Sequence, residues 1–346
     1  MSTMHHSAVF RRKPSLTIDP QLRARLIDSG CAMAPGEVVA WLGLERVRRN
    51  VERAIRHDLL AAAFDPGSDR GLRLVLPEDP EVSCWHLARI RLPSGRAASA
   101  VVAIRQGRPA NSFFATIEHC DADLSEPGAM AAVAADMRKA FGSIEFTHIA
   151  AFFDHTRLAR VLAQPRMRDS LHFFALPIAL LLERQAPERV ERVTLRRVET
   201  TSPDWLAFYP QYLEAYRSFH AERPGLIKFV RVETPRDLAA FADGGVLAEI
   251  FVDGRWGGVI AAMPDFVVGM HGYRIVEEIF AEEFRGQRLA RALQWRLAEM
   301  LPRAGRELLL GTIHPTNVWS VRTATGMGRA DVGGYAVLDL SAPEPE

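Results

Sequence analysis

Phe284-Arg285-Gly286-Gln287-Arg288-Leu289-Ala290 lies between a predicted strand and a predicted helix. The strand is Tyr273–Phe280, a β-branched and aromatic run. In the helix, apolar residues recur at helical spacing and stop before Pro302: Leu289, Leu293, Leu297, Met300 and Leu301. A strand, a basic glycine-containing turn and a helix can hold a phosphate group, because the first helical turn has unpaired N–H groups and its dipole favours anions. The pattern also fits an ordinary strand-to-helix loop with surface arginines.

The residues on either side predict further alternating elements. Downstream, the pattern indicates a buried strand over Glu307–Ile313, a short helix over Val318–Thr325 and a last strand over Asp331–Leu340. Upstream, Val193–Val198 predicts a first strand, and Trp205–Phe219 predicts a helical segment that is interrupted near Pro210. Two further strands, Gly245–Val252 and Gly257–Met263, flank Asp253-Gly254, which is a strong hairpin signal.

Residues 190–342, approximately, resemble the GNAT superfamily of acyl-CoA N-acyltransferases. The family's pyrophosphate loop reads Gln/Arg-x-x-Gly-x-Gly/Ala, and Arg285 to Ala290 follow it except that Arg288 takes the first glycine position. The family's later pattern, Asn-x-x-Ala/Ser-x-Arg and then Gly-aromatic-x-x-Val-Gly, has Arg329 in place of its aromatic residue. Its other positions are met in register by Asn317, Ser320, Arg322, Gly328, Val332 and Gly333. The order of elements is also the GNAT order, so the resemblance implies a mixed α/β sheet.

The first half of the chain predicts a similar order of elements. The pattern indicates helices over Val38–Phe64, Met130–Phe141 and Thr156–Leu162, and strands over His86–Leu92, Ala98–Ile104, Ser112–Glu118, Ile144–Phe153 and Leu171–Leu176. This order suggests a divergent duplication in tandem. The segment Asp121–Gly128 is acidic where a pyrophosphate loop should be basic, so we expect this half to have lost cofactor binding. The predicted domains are a disordered segment over 1–17, a degenerate GNAT-like or accessory α/β domain over 18–187, and a GNAT acyltransferase domain over 188–346.

Composition points to a soluble globular enzyme. The 346 residues are 48% apolar and carry a net charge of +1, which gives no sign of a nucleic-acid or membrane partner. No run of about 18 apolar residues and no apolar signal core occurs in the sequence, so we expect a cytoplasmic protein without a membrane span. Cys31, Cys84 and Cys120 lack metal-ligand spacing, and no metal is expected. The sequence is equally consistent with a monomer and with a homodimer.

The resemblance implies which residues would hold the cofactor, acetyl-CoA or another acyl-CoA. Main-chain groups of Ile279 and Phe280 would pair with the pantetheine arm, and the amides of Gln287, Arg288, Leu289 and Ala290 would hold the pyrophosphate beside Gly286. The side chains of Arg285 and Arg288 would add charge-assisted contacts. Asn317, near Ser320, would face the cofactor or cap its helix, and these two roles are compatible.

Acyl transfer to an amine requires the neutral amine, hence a base. Glu277 and Glu278 are adjacent in a predicted strand, so they point to opposite faces. If Phe280 points inward, parity favours Glu278 as the base, and a bulge would reverse that choice. His314 would act as a base, orient the substrate or simply form a His-Pro turn. The family's tyrosine acid corresponds to Ala324 here, so either Tyr335 protonates the leaving thiolate or no acid is used.

Three hypotheses of function follow from these residues. The first is an acyl-CoA-dependent N-acyltransferase acting on a small amine or an amino acid. The second is a tandem-GNAT transferase that uses another donor, such as an aminoacyl-tRNA, although no basic groove with stacking aromatics is visible. The third is a catalytically silent acyl-CoA-binding module. The aromatic residues of two segments either line an acceptor site or form core beneath amphipathic helices: Tyr209, Tyr212, Tyr216, Phe219, His220, Phe229, Phe266, His271 and Tyr273.

Overall fold

The computed structural model describes residues 20–63, 84–106, 113–141, 145–302 and 305–340, and these residues separate into two compact units. Unit 1 holds the described residues up to Ser170, together with Val267–Met270 and the described residues from Gly333 onward. Unit 2 holds Leu171–Phe266 and His271–Val332. The segment 1–17, which the sequence predicts to be disordered, lies outside the described residues.

Helices and strands alternate along the chain. The helices are α1 (Pro20–Met33), α2 (Gly36–Leu42), α3 (Leu44–Ala63), α4 (Ala129–Ala140), α5 (His155–Leu162), α6 (Ile178–Leu182), α7 (Tyr209–Glu222), α8 (Pro235–Gly244), α9 (Ala290–Met300) and α10 (Val318–Gly326). The strands are β1 (Cys84–Arg91), β2 (Ala97–Gln106), β3 (Phe113–Cys120), β4 (Phe146–Phe153), β5 (Met167–Pro177), β6 (Val193–Arg197), β7 (Val246–Val252), β8 (Arg255–Val267), β9 (Met270–Phe280), β10 (Leu308–Ile313) and β11 (Ala330–Asp339).

Unit 1 contains a mixed sheet in the order β1-β2-β3-β4-β11. The pair β3–β4 is parallel, and the pairs β1–β2, β2–β3 and β4–β11 are antiparallel. Helix α4 buries Met130, Val133, Ala134 and Met137, whose spacing of three and four residues forms one apolar face. That face joins a core cluster with residues of all five strands. Strand β11, the last in the described part of the chain, therefore joins unit 1 by pairing with β4 from Gly334 to Asp339.

Within unit 2 the strands follow the order β5-β10-β9-β8-β7-β6 and form a mixed sheet region. Here β9 and β10 are parallel, while β5–β10, β6–β7 and β7–β8 are antiparallel. The hairpin between β7 and β8 turns at Asp253 and Gly254, whose φ values of 50° and 77° are those of a type I′ turn. Strand β5, which precedes the domain boundary predicted at 187–188, pairs with β10 in this unit.

Two apolar layers cover the two faces of the sheet of unit 2. Along β7, Val246, Ala248, Ile250 and Val252 join a cluster with helix α9, whereas Leu247 joins a cluster with α7 and α8. This alternation follows from the two-residue period of a strand. Strand β9 therefore presents successive side chains to different layers, with Ile279 packed in the α7 cluster and Phe280 against the α9 cluster.

The mixed α/β sheet and the predicted order and type of the elements are confirmed. The interruption predicted near Pro210 is wrong, because α7 begins at Tyr209 and Pro210 lies in its first turn. The single helix predicted over Val38–Phe64 is wrong in one respect: Gly43, with φ of +77°, separates α2 from α3. Helices α1 and α8 did not stand out in the sequence. A signal for α8 exists, because Thr234 and Asp237 form a capping box around Pro235. The domain boundary predicted at 187–188 stays a prediction.

The described ranges lack two kinds of feature, a membrane-spanning helix and a set of metal ligands. No helix there is both long and apolar enough to cross a membrane. No group of three His, Cys, Asp or Glu side chains comes together as a set of metal ligands among those residues. Cys31 and Cys120 are free thiols, and burial raises the pKa of Cys120 to about 12, so this thiol stays protonated at neutral pH.

Gly258 is predicted to be essential for the contact between β8 and β9. A Cβ added there would lie 2.0 Å from the carbonyl oxygen of Ile279, and φ is +144°. Gly258→Ala should therefore lower the free energy of unfolding by more than about 2 kcal/mol, measured by urea denaturation. Gly225→Ala is the control, because a Cβ there meets nothing within 4 Å. Equal losses in the two variants would contradict the prediction.

Candidate functional site

The parallel strands β9 and β10 separate part-way along their length. They pair over Gly272–Ile275 and Leu308–Gly311, and β9 then continues to Phe280. On its other edge β10 pairs with β5 over its whole length, from Leu308 to Ile313. Within the described residues, the edge of β9 from Val276 to Phe280 has no strand partner on the β10 side. We call this opening the β9–β10 gap, and its closed end lies at Ile275 and Gly311.

The loop after β9 has an open, left-handed backbone. Gly286 has φ of +73°, and an added Cβ would meet nothing within 4 Å. Arg288 has φ of +59° at the position where the family has glycine. The arginine therefore keeps a backbone conformation that glycine adopts most easily. Helix α9 begins immediately afterwards, and no side chain caps its first turn at Leu289.

Two of the loop's polar side chains bind to the protein itself. The guanidinium of Arg285 donates to the carbonyl oxygen of Phe280 at 3.0 Å, to Glu222 at 2.8 Å and to the carbonyl oxygen of Ala215. The side chain of Gln287 donates to the carbonyl oxygen of Glu283 and accepts from Arg192, and its own carbonyl oxygen accepts from Arg189. These contacts fix the loop against α7 and the segment before β6.

Arg288 differs from its neighbours in the loop. Its side chain is exposed, and within the described residues it makes no hydrogen bond or ion pair. It lies next to Leu289, which is buried, so the backbone at the start of α9 is anchored while the cation beside it is free. Of the side chains that the sequence assigns to the cofactor, that of Arg288 is the cation available to an anionic ligand.

Glu277 is a buried carboxyl held by two tyrosines. It is 3% exposed, and it accepts hydrogen bonds from Tyr212 Oη at 2.8 Å and from Tyr216 Oη at 2.8 and 3.0 Å. Tyr212 Oη in turn accepts from the backbone N–H of Glu233 at 2.9 Å. Burial raises the pKa of Glu277 to about 8, against the two hydroxyl hydrogen bonds that favour the ionised form.

Glu278 lies on the opposite face, as its place in a strand predicts. It is partly exposed and accepts a hydrogen bond from Gln294 Nε2 of helix α9 at 2.7 Å. Burial raises the pKa of Glu278, and the nearby positive charge of Arg329 acts in the other direction. Both faces of β9 are covered by helices, so the orientation of Phe280 toward α9 does not by itself identify a substrate face.

Asn317 and His314 lie at the turn between β10 and α10. The Oδ1 atom of Asn317 accepts from the backbone N–H of Ser320 at 3.4 Å, so Asn317 caps α10. His314 Nδ1 hydrogen-bonds Thr316 Oγ1 at 2.7 Å, and its ring stacks on Phe229 with 3.7 Å between centroids. The His-Pro turn is therefore well ordered by local contacts, whatever its chemical role.

All of the candidate catalytic and cofactor-binding residues except Tyr335 belong to unit 2. Tyr335 belongs to unit 1, where it packs edge-to-face against Phe152. The aromatic residues named from the sequence differ in exposure. Tyr212, Tyr216 and Tyr273 are buried, as core residues are, whereas the side chain of Phe229 is 45% exposed.

The hydroxyls of Tyr212 and Tyr216 donate to Glu277, and the sequence did not predict this role. Their spacing of four residues on one helix face was the signal that could have paired them. The sequence also predicted no role for Gln294, which hydrogen-bonds Glu278 from α9. No signal in the sequence linked either helix to a particular carboxyl of β9, because the contacts depend on how the helices pack on the sheet.

Comparisons with known proteins give structural likeness alone. No family model matches the chain, and no curated protein matches it. A tandem GNAT protein from the clavulanic acid biosynthesis pathway, solved without AcCoA, is 14% identical, with a TM-score of 0.49 over 96% of this chain and 99% of its own.

Two further solved structures show likeness of the same order. A GCN5-related N-acetyltransferase from Sphaerobacter thermophilus is 13% identical, with a TM-score of 0.47 over 94% of this chain and 93% of its own. L-PGS from Bacillus licheniformis is 10% identical, with a TM-score of 0.43 over 76% of this chain and 86% of its own. All three TM-scores lie below 0.5, so the likeness carries no conclusion about the reaction.

The raised pKa of Glu277 predicts a pH-dependent stability. In the unfolded chain this carboxyl titrates near 4.5, and in the folded protein near 8. Between these values the folded protein holds a proton that the unfolded chain has released. The free energy of unfolding should therefore fall as pH rises from about 5 to 8, by about 1 kcal/mol per pH unit.

Glu277→Gln removes this titration and should flatten that slope, as measured by urea unfolding at about pH 5.5, 6.5 and 7.5. Glu214→Gln, at an exposed position on α7, should follow the wild-type slope. A Glu277→Gln curve parallel to that of the wild type would show that Glu277 does not titrate in this range.

Proposed function

We propose that unit 2 is an acyl-CoA-dependent N-acyltransferase that moves an acyl group from a CoA thioester to the amine of a small molecule or an amino acid. The observation that carries the proposal is the β9–β10 gap, which ends next to a left-handed loop at the start of α9. A strand edge without a partner offers N–H and C=O groups to an extended arm that itself contains amides. A helix start without a side-chain cap favours an anion.

The described residues fit acetyl-CoA or another acyl-CoA. The main-chain N–H of Phe280 would pair with a pantetheine arm on the open edge of β9, whereas the carbonyl oxygen of Ile279 lies against Gly258 of β8. The amides of Gln287, Arg288, Leu289 and Ala290 would hold the pyrophosphate, and the space beside Gly286 admits it. Arg288 would add a charge-assisted contact, whereas Arg285 shapes the loop. Asn317 and Ser320 would support the same site from α10.

The chemistry assigned to the chain is proton removal from the acceptor. When bound, the acyl-CoA supplies a thioester carbonyl, and transfer forms a C–N bond as the C–S bond breaks with its electron pair leaving on sulfur. We assign the base to Glu277, which takes the proton from the amine nitrogen directly or through one water molecule. Its pKa of about 8 suits a base that works near neutral pH. Tyr212 and Tyr216 hold the carboxylate by donating to it.

The alternative functions differ in what they bind. A transferase that uses an aminoacyl-tRNA would not bind a CoA thioester, and a silent module would bind one without transfer. Arg288 stands where the GNAT motif has glycine, but this gives only weak support to a silent module. Its φ of +59° keeps the backbone conformation that the glycine would adopt. Titration with acetyl-CoA, followed by measurement of free thiol released with a panel of amines, separates the three functions.

Gly286→Glu should weaken acyl-CoA binding. The substitution places a negative charge where the pyrophosphate approaches, and the expected loss of affinity is roughly 5- to 100-fold, about 1–3 kcal/mol, measured by calorimetry. Gly95→Glu is the matched control, because it has φ of +86° and equally open space in the β1–β2 turn. Both variants should lose similar stability from backbone strain, and affinity alone should separate them. An unchanged affinity in Gly286→Glu would remove the loop assignment.

Glu277→Gln should lower the rate of acyl transfer at neutral pH by on the order of 10²–10⁴-fold, because the size and shape of the side chain remain while its basicity is lost. Raising the pH should recover part of the rate, since more of the amine is then neutral. Glu278→Gln, one residue away on the opposite face, should cause a much smaller loss. A larger loss in Glu278→Gln would move the base to the α9 face, as strand parity predicts from sequence. Losses within about twofold in both would end the assignment and make His314 the next residue to test.

A further inference from the structure

A buried arginine lies at the closed end of the β9–β10 gap. Arg329 is 4% exposed. Its Nη1 atom lies only 2.5 Å from the point that a Cβ of Gly311 would occupy, so the guanidinium rests directly on this residue. Gly311 is also the last residue of β10 that pairs with β9. The absence of a side chain at Gly311 is therefore what makes room for the cation.

The guanidinium of Arg329 has unused donors. Within the described part of the chain, its Nε and Nη1 atoms are buried and have no hydrogen-bond partner. A buried donor without a partner is costly, and a buried charge more so, which makes an unpaired guanidinium unusual in a folded protein. Such a group indicates a ligand that completes the site.

Two other polar side chains, those of Glu278 and Gln294, belong to the surroundings of Arg329. Glu278 is close enough that its charge and that of Arg329 stabilise each other, although no direct ion pair joins them in the described residues. Gln294 donates to Glu278, and its Oε1 atom is itself buried without a partner. Burial lowers the pKa of Arg329 to about 10, which leaves the guanidinium charged at neutral pH. Burial also raises the pKa of Glu278, which weakens its competition for that charge.

The proposed function gives the direction of a bound acyl-CoA. Its phosphates would lie at the loop of Gly286 to Ala290, which follows the carboxyl end of β9. The arm would then run back along the open edge of β9, from Phe280 toward Ile275. Its acyl end would reach the closed end of the gap, where Arg329 lies against Gly311.

We propose that the acyl group carried to this site ends in a carboxylate, and that Arg329 binds that carboxylate at the closed end of the β9–β10 gap. The inference rests on the proposed function and specifies its substrate class. A carboxylate accepts charge-assisted hydrogen bonds from a guanidinium, so a carboxylate bound here would give the unused donors of Arg329 an acceptor. An acetyl group would leave these donors without a partner.

The test compares near-isosteric acyl donors by calorimetric binding to the full-length protein. Malonyl-CoA is matched with isovaleryl-CoA, and succinyl-CoA with 4-methylpentanoyl-CoA, because a carboxylate and an isopropyl group have similar size and shape. The wild type should bind the better carboxylate donor about 10- to 100-fold more tightly than its neutral match. Arg329→Met should remove the preference, and Arg329→Lys should retain part of it. Arg217→Met, at an exposed position, should keep the wild-type ratio.

The ratio within each variant is the decisive readout, because a loss of packing would weaken both members of a pair equally. Binding of CoA thioesters without a carboxylate preference would overturn this inference and leave the proposed function standing. A preference for a carboxylate on the amine acceptor, with none on the acyl donor, would also overturn it, because Arg329 would then bind the acceptor. Failure of the wild type to bind any CoA thioester would remove the proposed function and this inference together. If Arg329→Met does not fold, the wild-type ratio alone decides.

Discussion

Strands β9 and β10 of unit 2 are parallel neighbours that pair only as far as Ile275 and Gly311. Backbone N–H and C=O groups need hydrogen-bond partners, so a strand edge that loses its neighbour must face solvent, a ligand or a side chain. On its other side β9 lies against β8, where the approach at Gly258 leaves no room for a Cβ. The strand is therefore held tightly along one edge and left open along the other, and the loop, the carboxyls and Arg329 are all arranged around that open edge.

The two adjacent carboxyls of β9 show how strand geometry creates different chemical environments from identical residues. Glu277 meets two hydroxyls from α7, and Glu278 meets an amide from α9 and the field of a buried guanidinium. Burial raises both pKa values, and each ionised form is favoured by different groups: two hydroxyls at Glu277, and an amide together with the charge of Arg329 at Glu278. The sequence of two glutamates therefore becomes two separate sites, each supported by its own helix.

The sequence was most informative where structure depends on near neighbours. Alternation and helical spacing predicted the strands, the hairpin at Asp253-Gly254 and the helix after the loop, because these depend on residues a few positions apart. It could not predict contacts made across long separations. Tyr212 and Glu277 are 65 positions apart, and Arg285 reaches Glu222 across 63 positions, so no local pattern carries either contact. Arg329 was visible only as a departure from a family motif, since its burial depends on Gly311 in another strand.

The pairing of β4 with β11 has a consequence for synthesis of the chain. Strand β4 ends at Phe153, and its partner Gly334 follows roughly 180 residues later. At about 5–20 residues per second, a ribosome needs on the order of 10–40 s to deliver that partner. Until then β4, most of whose side chains are buried in the finished unit, exposes an unpaired edge of the kind that recruits other chains. Deletion of Gly334–Asp339 would leave this edge of β4 without its partner permanently.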